Sequence, residues 1–474
     1  MDLVGREAEE TAFSNCLQLS ESKLIAVYGR RRVGKTFLIR KTFSSKLVFE
    51  VSGLYKGSTQ AQIKHFTKTL ISYGYAPAAF ANPNDWIDAI GLQQGYLDTL
   101  KGKSKKVIFI DEMPWFDTAR SQFLTIFENF WNQYCTKRND LVVVICGSAA
   151  TWMIKKILKN KGGLHNRVYE KIKLKPFNLY ETEKFLKAKG IVWDKFTIAQ
   201  LYLCIGGIPF YLDGIRKGES FVQFINRAFF QPDGFLRIEY EELFSSLFDQ
   251  STNHRDVVAI LAKQNKSIPR EKITDNIKLN SGGTLTNILE ELENAGFISK
   301  TNLNTNTKTK SHYRLEDFYT LFYLHFIGKK GKTNIDNWDK IATSPSWASW
   351  SGLAFERLCF YHTNQIKKAL NISAIESEVS SWRVIDEERG AQIDMLIDRA
   401  DRVVNVVEMK FSKDQFKITK DFAMNLRNKL ARYAEQNPRK VLFLTMLTSF
   451  GVFENQYSTE LVQNKIELKQ LFSK

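Results

Sequence analysis

The chain has 474 residues, 43% hydrophobic and 13% aromatic, enough for two to four domains at roughly 100–200 residues each, every one with a buried core. Its 68 Lys plus Arg against 51 Asp plus Glu give a net charge of +17, which favours nucleic acid, nucleotides or acidic surfaces as partners. The five cysteines (Cys16, Cys135, Cys146, Cys204, Cys359) contain no Cys-x-x-Cys pair, which excludes a zinc ribbon and a disulfide scaffold and suits a reducing compartment.

The start Met1-Asp2-Leu3-Val4-Gly5-Arg6-Glu7 lacks the basic stretch and apolar run of a signal peptide. Residues 1–175 alternate helical patterns with the apolar runs 24–28, 107–110 and 141–145. Wholly apolar strands between helices predict a parallel sheet covered on both faces, hence an α/β fold. Residues 176–249 read as helical, broken at Gly206-Gly207-Ile208-Pro209. From 250 to 335 the pattern predicts three helices, the second starting at Ile268-Pro269-Arg270, then two strands around the polar loop Thr301 to Ser311, which is the winged-helix order. The stretch Phe318 to Ile327 is about half of the ~20 residues that span a bilayer. Residues 328–347, with Gly328-Lys329-Lys330-Gly331-Lys332 and Pro345, read as a connector, and 348–474 as a final α/β unit. A cytoplasmic protein without a membrane partner is expected.

Gly29-Arg30-Arg31-Arg32-Val33-Gly34-Lys35-Thr36 fits GxxxxGK[ST], directly after the strand 24–28 and before a helix opening at Phe37. The two glycines let the backbone curl so that its N–H groups face phosphate oxygens at a helix N-terminus. Lys35 supplies charge to the β- and γ-phosphates, and the Thr36 hydroxyl can ligate Mg²⁺. The partner motif is an apolar strand ending in Asp111-Glu112, where Asp111 holds Mg²⁺ through water and Glu112 polarises the attacking water as general base. The strand 141–145 ends at Cys146-Gly147-Ser148, and Ser148 is placed to sense the γ-phosphate or orient water.

With these motifs the chain resembles the archaeal-type P-loop ATPases of the AAA+/STAND group, most closely over Tyr28 to Thr36. Val4-Gly5-Arg6-Glu7 resembles their entry motif near the adenine, and Gly206-Gly207-Ile208-Pro209 the GGxP segment of their lid. The resemblance covers roughly residues 1–330 and implies ATP with Mg²⁺ as the ligands, bound by Gly29 to Phe37. It divides the chain into an ATPase core (1–175), a helical lid (176–249) and a winged-helix-like domain (250–335). It also implies Arg167 as an arginine contacting phosphate, within the chain or across subunits of a homo-oligomer.

The last unit carries a second cluster. Gly390 to Ile397 is a predicted strand containing Asp394, and Val403 to Lys410 another ending in Glu408-Met409-Lys410. Alternate strand residues share a face, so Glu408 and Lys410 point the same way. A three-residue hairpin loop at 400–402 would set Asp394 opposite Glu408. The helix around Ser351–Arg357 adds Glu356. Two carboxylates and a lysine suit metal-assisted phosphodiester hydrolysis, with Asp394 and Glu408 as Mg²⁺ ligands and Lys410 orienting or deprotonating water. This segment resembles the PD-(D/E)xK nuclease-like domains, of restriction-endonuclease type, often appended to such ATPases. A Glu408–Lys410 ion pair on a strand edge is the bland alternative.

Between Thr151 and Lys175 stand eight basic residues against Glu170 alone, a run able to follow a phosphate backbone. The third helix of the 250–335 segment carries Glu290, Glu291 and Glu293 and is a poor reader of DNA sequence. The six histidines show no metal-ligand spacing. The expected function is an ATP-hydrolysing protein that couples nucleotide state to a DNA-binding, nuclease-like domain acting without strong sequence preference. The rivals are a nucleotide-gated scaffold with a silent nuclease-like domain and a winged-helix transcription regulator.

Overall fold

The computed structural model describes residues 3–75, 83–159, 161–248, 251–264, 267–277, 282–304, 309–328, 337–384 and 390–474. The chain forms two compact units. The first comprises Met1–Pro176, Ile208–Phe210 and Glu241–Leu315; the second comprises Phe177–Gly207, Tyr211–Tyr240 and Glu316–Lys474.

The first unit is built on five parallel strands, β1 (Lys23–Tyr28), β2 (Leu47–Ser52), β3 (Lys106–Asp111), β4 (Leu141–Gly147) and β5 (Val168–Lys173), in the order β2-β3-β4-β1-β5. The three strands expected from apolar runs are β1, β3 and β4, the inner strands; every residue of β3 and β4 is buried. Helices cover them on both faces, so no polar side is needed. β2 and β5 lack such runs and are additions to the expected sheet. They are its edges, and β5, Val168-Tyr169-Glu170-Lys171-Ile172-Lys173, buries only alternate residues, so its charges read as a basic run. Parallel pairing of β1 with β4, from Lys23↔Val142 to Tyr28↔Gly147, brings the carboxyl ends of these strands to one edge of the sheet.

The same unit contains the helices Ser251–Ala262, Arg270–Thr274 and Gly282–Asn294 and a small antiparallel sheet. That sheet is β6 (Ile268–Pro269), β7 (Ile298–Asn304) and β8 (Thr309–Leu315), in the order β6-β8-β7. Ile268-Pro269, read as a helix start, instead pairs with Tyr313 and His312, and the helix begins at Arg270 with Pro269 as its N-cap residue. Part of the polar loop, 305–308, lies outside the described residues.

In the second unit a mixed five-stranded sheet has the order β13-β12-β11-β10-β9. Its strands are β9 (Ser377–Val384), β10 (Ala391–Arg399), β11 (Val403–Lys410), β12 (Val441–Thr448) and β13 (Asn464–Glu467). β9, β10 and β11 are antiparallel, and β11, β12 and β13 parallel. The helix Lys420–Gln436 supplies Leu426 and Tyr433 to the core between itself and the sheet. Residues 329–336 of the expected connector lie outside the described residues. Pro345, read as part of that connector, is the first residue of the helix Pro345–Tyr361, where its missing N–H goes unneeded, and Ser344 caps it by accepting from Trp347 N–H at 3.1 Å.

His362 joins two helices of this unit. Its Nδ1 donates to the Leu358 carbonyl at 2.8 Å, and its Nε2 accepts from Leu179 N–H at 2.9 Å, at the start of the helix Leu179–Ala188. An imidazole fixed as donor at one nitrogen and acceptor at the other is neutral. Burial lowers its pKa from 6.5 to about 4, against the Leu358 carbonyl, which acts to raise it. Because the unfolded state takes up the proton first, stability is full above pH 6.5 and is lost as pH falls from 6.5 towards 4. The loss amounts to about 3 kcal/mol at about 1.4 kcal/mol per pH unit. His362→Gln, whose amide oxygen can still accept from Leu179, should abolish this part of the acid sensitivity. Urea unfolding of both proteins at pH 7 and pH 4.5 checks it: the two should diverge at pH 7 and converge in acid.

Candidate functional site

The loop Gly29–Gly34 leaves the carboxyl end of β1 and enters the helix Lys35–Phe43. Its two glycines do different work. Gly29 sits at φ +140°, where an added Cβ would lie 2.5 Å from the Leu174 carbonyl oxygen; Gly34 sits at φ +89° with open space where a Cβ would be. The Lys35 ammonium, nearly buried, donates to the carbonyls of Gly29 and Arg30, both at 3.0 Å, so it lies across the loop's concave side. The Thr36 hydroxyl donates to Asp111 Oδ2 at 2.8 Å, and the other Asp111 oxygen accepts from Glu112 N–H at 2.9 Å. A hydroxyl and a carboxylate side by side are hard oxygen donors of the kind Mg²⁺ takes.

Glu112 occupies the left-handed region (φ 44°, ψ 47°), which strains a residue with a Cβ. The turn directs its carboxylate to the end of β4, where Glu112 Oε2 accepts from Ser148 twice, from N–H at 3.0 Å and from the hydroxyl at 2.8 Å. Gly147 lets this happen, since Pro114 Cδ stands 2.9 Å from where its Cβ would be. Lys35, Thr36, Asp111, Glu112 and Ser148 therefore meet at one edge of the sheet.

The other loop residues have partners that the sequence does not suggest. The guanidinium of Arg30 lies 4.7 Å from the Phe297 ring centroid, that of Arg31 5.9 Å from Trp115 and that of Arg32 4.1 Å from Phe210. Arg32 also pairs with Glu242 at 3.7 Å. The Val33 carbonyl accepts from Arg6, which reaches the Lys175 carbonyl as well, so the Val4–Glu7 segment braces the loop against the chain leaving β5. Phe37 is partly exposed on the first turn of the helix. Arg167 is not brought to this edge of its own sheet. It precedes β5 and lies at the amino ends of the strands, about 20 Å away for six residues at about 3.3 Å each.

The second cluster forms on β10 and β11. Their register, Met395↔Val407 through Asp398↔Val404, leaves 400–402 as the hairpin loop and ends one residue short of Asp394 and Glu408. Asp394 Oδ2 accepts from Met409 N–H at 3.1 Å. Glu408, 2% exposed, accepts from Lys410 at 2.9 Å and, on its other oxygen, from Lys429 of the helix Lys420–Gln436 at 2.8 Å. Burial and then the Asp394 charge hold the Glu356 carboxyl well above the usual carboxylate range; burial and then Glu408 do the same for Asp394. Burial acts to lower the Lys410 pKa, but the Glu408 and Asp394 carboxylates outweigh it and the net shift is upward. The four expected residues thus act on one another, and Lys429 is a fifth that motif spacing could not supply. Among the described residues no group of three or more His, Cys, Asp or Glu is arranged to hold a metal ion. Each Glu408 oxygen accepts from one ammonium group and keeps a second lone pair, so a Mg²⁺ held by Asp394 and Glu408 would share that carboxylate with Lys410 and Lys429.

The glycine geometry predicts unequal effects of the same substitution. Gly34→Ala meets only left-handed strain, about 1–2 kcal/mol. Gly29→Ala adds a backbone clash and should lower the melting temperature and the ATP affinity further than Gly34→Ala, measured by calorimetry on both variants.

Residues 3–215 match the family model described as an ATPase domain predominantly from Archaea. A protein of Methanocaldococcus jannaschii, the uncharacterised MJECL04, is 24% identical over 427 residues, 88% of this chain and 90% of its own, so the likeness runs well past the ATPase region. Among solved structures, the Walker-type ATPase PABY2304 of Pyrococcus abyssi aligns with a TM-score of 0.51 at 17% identity, covering 68% of this chain and 96% of its own. The ORC2 protein of Aeropyrum pernix, solved with ADPNP and ADP, aligns at a TM-score of 0.42 and 12% identity over 68% and 93%. The five-stranded parallel sheet and the loop Gly29–Thr36 both lie within residues 3–215 and agree with the match of that segment to an archaeal-type ATPase domain.

Proposed function

We propose that the protein is a cytoplasmic ATP-hydrolysing switch whose nucleotide state controls a nucleic-acid-binding, nuclease-like C-terminal unit. The observation that carries the hydrolytic half is the Glu112 carboxylate, anchored on one oxygen by Ser148 and adjacent to Asp111 and Thr36. In this reading the loop and Lys35 hold the β- and γ-phosphates, and Thr36 and Asp111 hold Mg²⁺. The bound ion would neutralise charge on the phosphate oxygens. Glu112 takes the proton from water through its second oxygen, while Ser148 fixes the direction of the first.

The antiparallel β9–β11, the parallel β12 and the cluster of Glu356, Asp394, Glu408 and Lys410 support a PD-(D/E)xK-like fold for the last part of the chain. The segment 250–315, three helices with a small sheet, is winged-helix-like. Its third helix is engaged by the ATPase part, Glu290 with Lys155 at 2.8 Å and Asn294 with Thr151 at 3.0 Å, which favours a packing role over sequence reading. Net charge of +17 favours nucleic acid as the partner.

Glu112→Gln should bind ATP with unchanged affinity and turn it over on the order of 10²–10⁴-fold more slowly. Ser148→Ala, which keeps the backbone N–H, should lose much less; a wild-type rate in Glu112→Gln would place the base elsewhere. For the C-terminal unit, nicking of single- and double-stranded DNA is measured with Mg²⁺ or Mn²⁺ in wild type, Asp394→Ala and Lys410→Ala. Cleavage abolished in both variants with ATP turnover intact establishes a nuclease. Binding without cutting that still needs these residues identifies a silent, nuclease-derived binding domain.

A further inference from the structure

The edge of the five-stranded sheet opposite the phosphate loop carries a cleft of its own. The segments that enter β1, β3, β4 and β5, namely 21–23, 102–103, 136–140 and 166–167, line an open cavity of about 900 Å³. Its cations are of two kinds. Lys23 is paired with Glu21 at 2.9 Å, and Arg138 forks onto Asp140 and reaches Asp98, each at 2.9 Å, so both are held as part of the wall. Lys103, Lys137 and Arg167 are exposed, stand on three different loops and, among the described residues, have no ion-pair partner. Among the described residues of the unit, no acidic side chain neutralises these three charges of the cleft.

An aromatic ring stands among them. Tyr169 is 49% exposed, with the Lys23 ammonium 4.6 Å from its ring centroid. Strand alternation puts Lys171 and Lys173 on the same outward face of edge strand β5 as Tyr169, so a basic track continues from the cleft along the strand. A pocket for one small anion would be enclosed and would converge polar groups on a point. Here an open groove spreads its charges over three loops beside a half-exposed ring, the combination that takes a phosphate backbone together with a planar base. A duplex keeps its base faces stacked and hidden, so the ring selects a single strand.

We propose that this cleft binds single-stranded nucleic acid, with Lys103, Lys137 and Arg167 on successive phosphates and Tyr169 against a base. The proposal rests on nucleic acid as the partner class and adds where a strand lies. It also leaves the ATP site free, at the far edge of the sheet.

The full-length protein is titrated with a fluorescein-labelled oligothymidylate and with a duplex of the same length, over a series of salt concentrations. The variants are the triple Lys103→Glu, Lys137→Glu, Arg167→Glu and the single Tyr169→Ala, each with its melting temperature checked against wild type, since all four side chains are on the surface. The triple variant should lose at least tenfold in affinity for the single strand, with a salt slope smaller by about 0.7 for each phosphate contact removed. Tyr169→Ala should lose about fivefold or more on the single strand and little on the duplex. If wild type binds and the triple variant binds equally well with the same slope, the cleft is overturned while nucleic acid stands as a partner. If the loss appears on duplex alone, the single-strand assignment is wrong. If wild type binds neither probe at low salt, the proposed function falls and this site with it.

Discussion

Parallel strands send their carboxyl ends to the same edge, and the ATPase site depends on that constraint before any side chain is considered. β1, β3 and β4 lie side by side in parallel, so the loop after Tyr28, the acids after Ile110 and the serine after Gly147 arrive together although they are far apart in the sequence. The sheet also brings β5 past the far side of β1, and the Leu174 carbonyl just beyond it leaves room at Gly29 for no side chain. The conformation of the loop is thus set by the chain leaving a neighbouring strand as much as by its own glycines.

Much of this is legible in the sequence, for an identifiable reason. β1, β3 and β4 are buried on both faces, so their sequences are nearly continuous apolar runs, and the first polar residues after each run mark its chemical end. The edge strands give no such signal: β5 spends half its residues on solvent and β2 carries Glu50. In the second unit the loop at 400–402 fixes the register by counting alone, because one residue more or less would turn Asp394 away from Glu408. Lys429 is invisible in the sequence. It lies on a separate helix with many charged neighbours, and only packing shows that it reaches Glu408. The aromatic partners of Arg30, Arg31 and Arg32 are invisible for the same reason.

The two carboxylate centres manage their charge differently. Asp111 is held by neutral donors, a hydroxyl and a backbone N–H, which orient it without cancelling it and leave a negative site for a cation. Glu408 is held by two ammonium groups, which cancel it locally, while Asp394 and Glu356 respond to burial by holding protons more tightly. The first centre is poised for a ligand; the second is close to electrically self-sufficient.

The three consecutive arginines of the phosphate loop give it a mechanical property. A loop that met only its own strand and helix could change shape privately. This one is moored to three rings from three distant stretches of chain, Trp115 just past the acidic strand end, Phe210 after the double glycine and Phe297 at the entry to β7. In each mooring a guanidinium carbon stands over a ring, an attraction to the ring face that tolerates sliding and resists separation. A change in the curl of the loop is therefore shared at once among all three stretches, and a displacement of any one of them is felt at the loop.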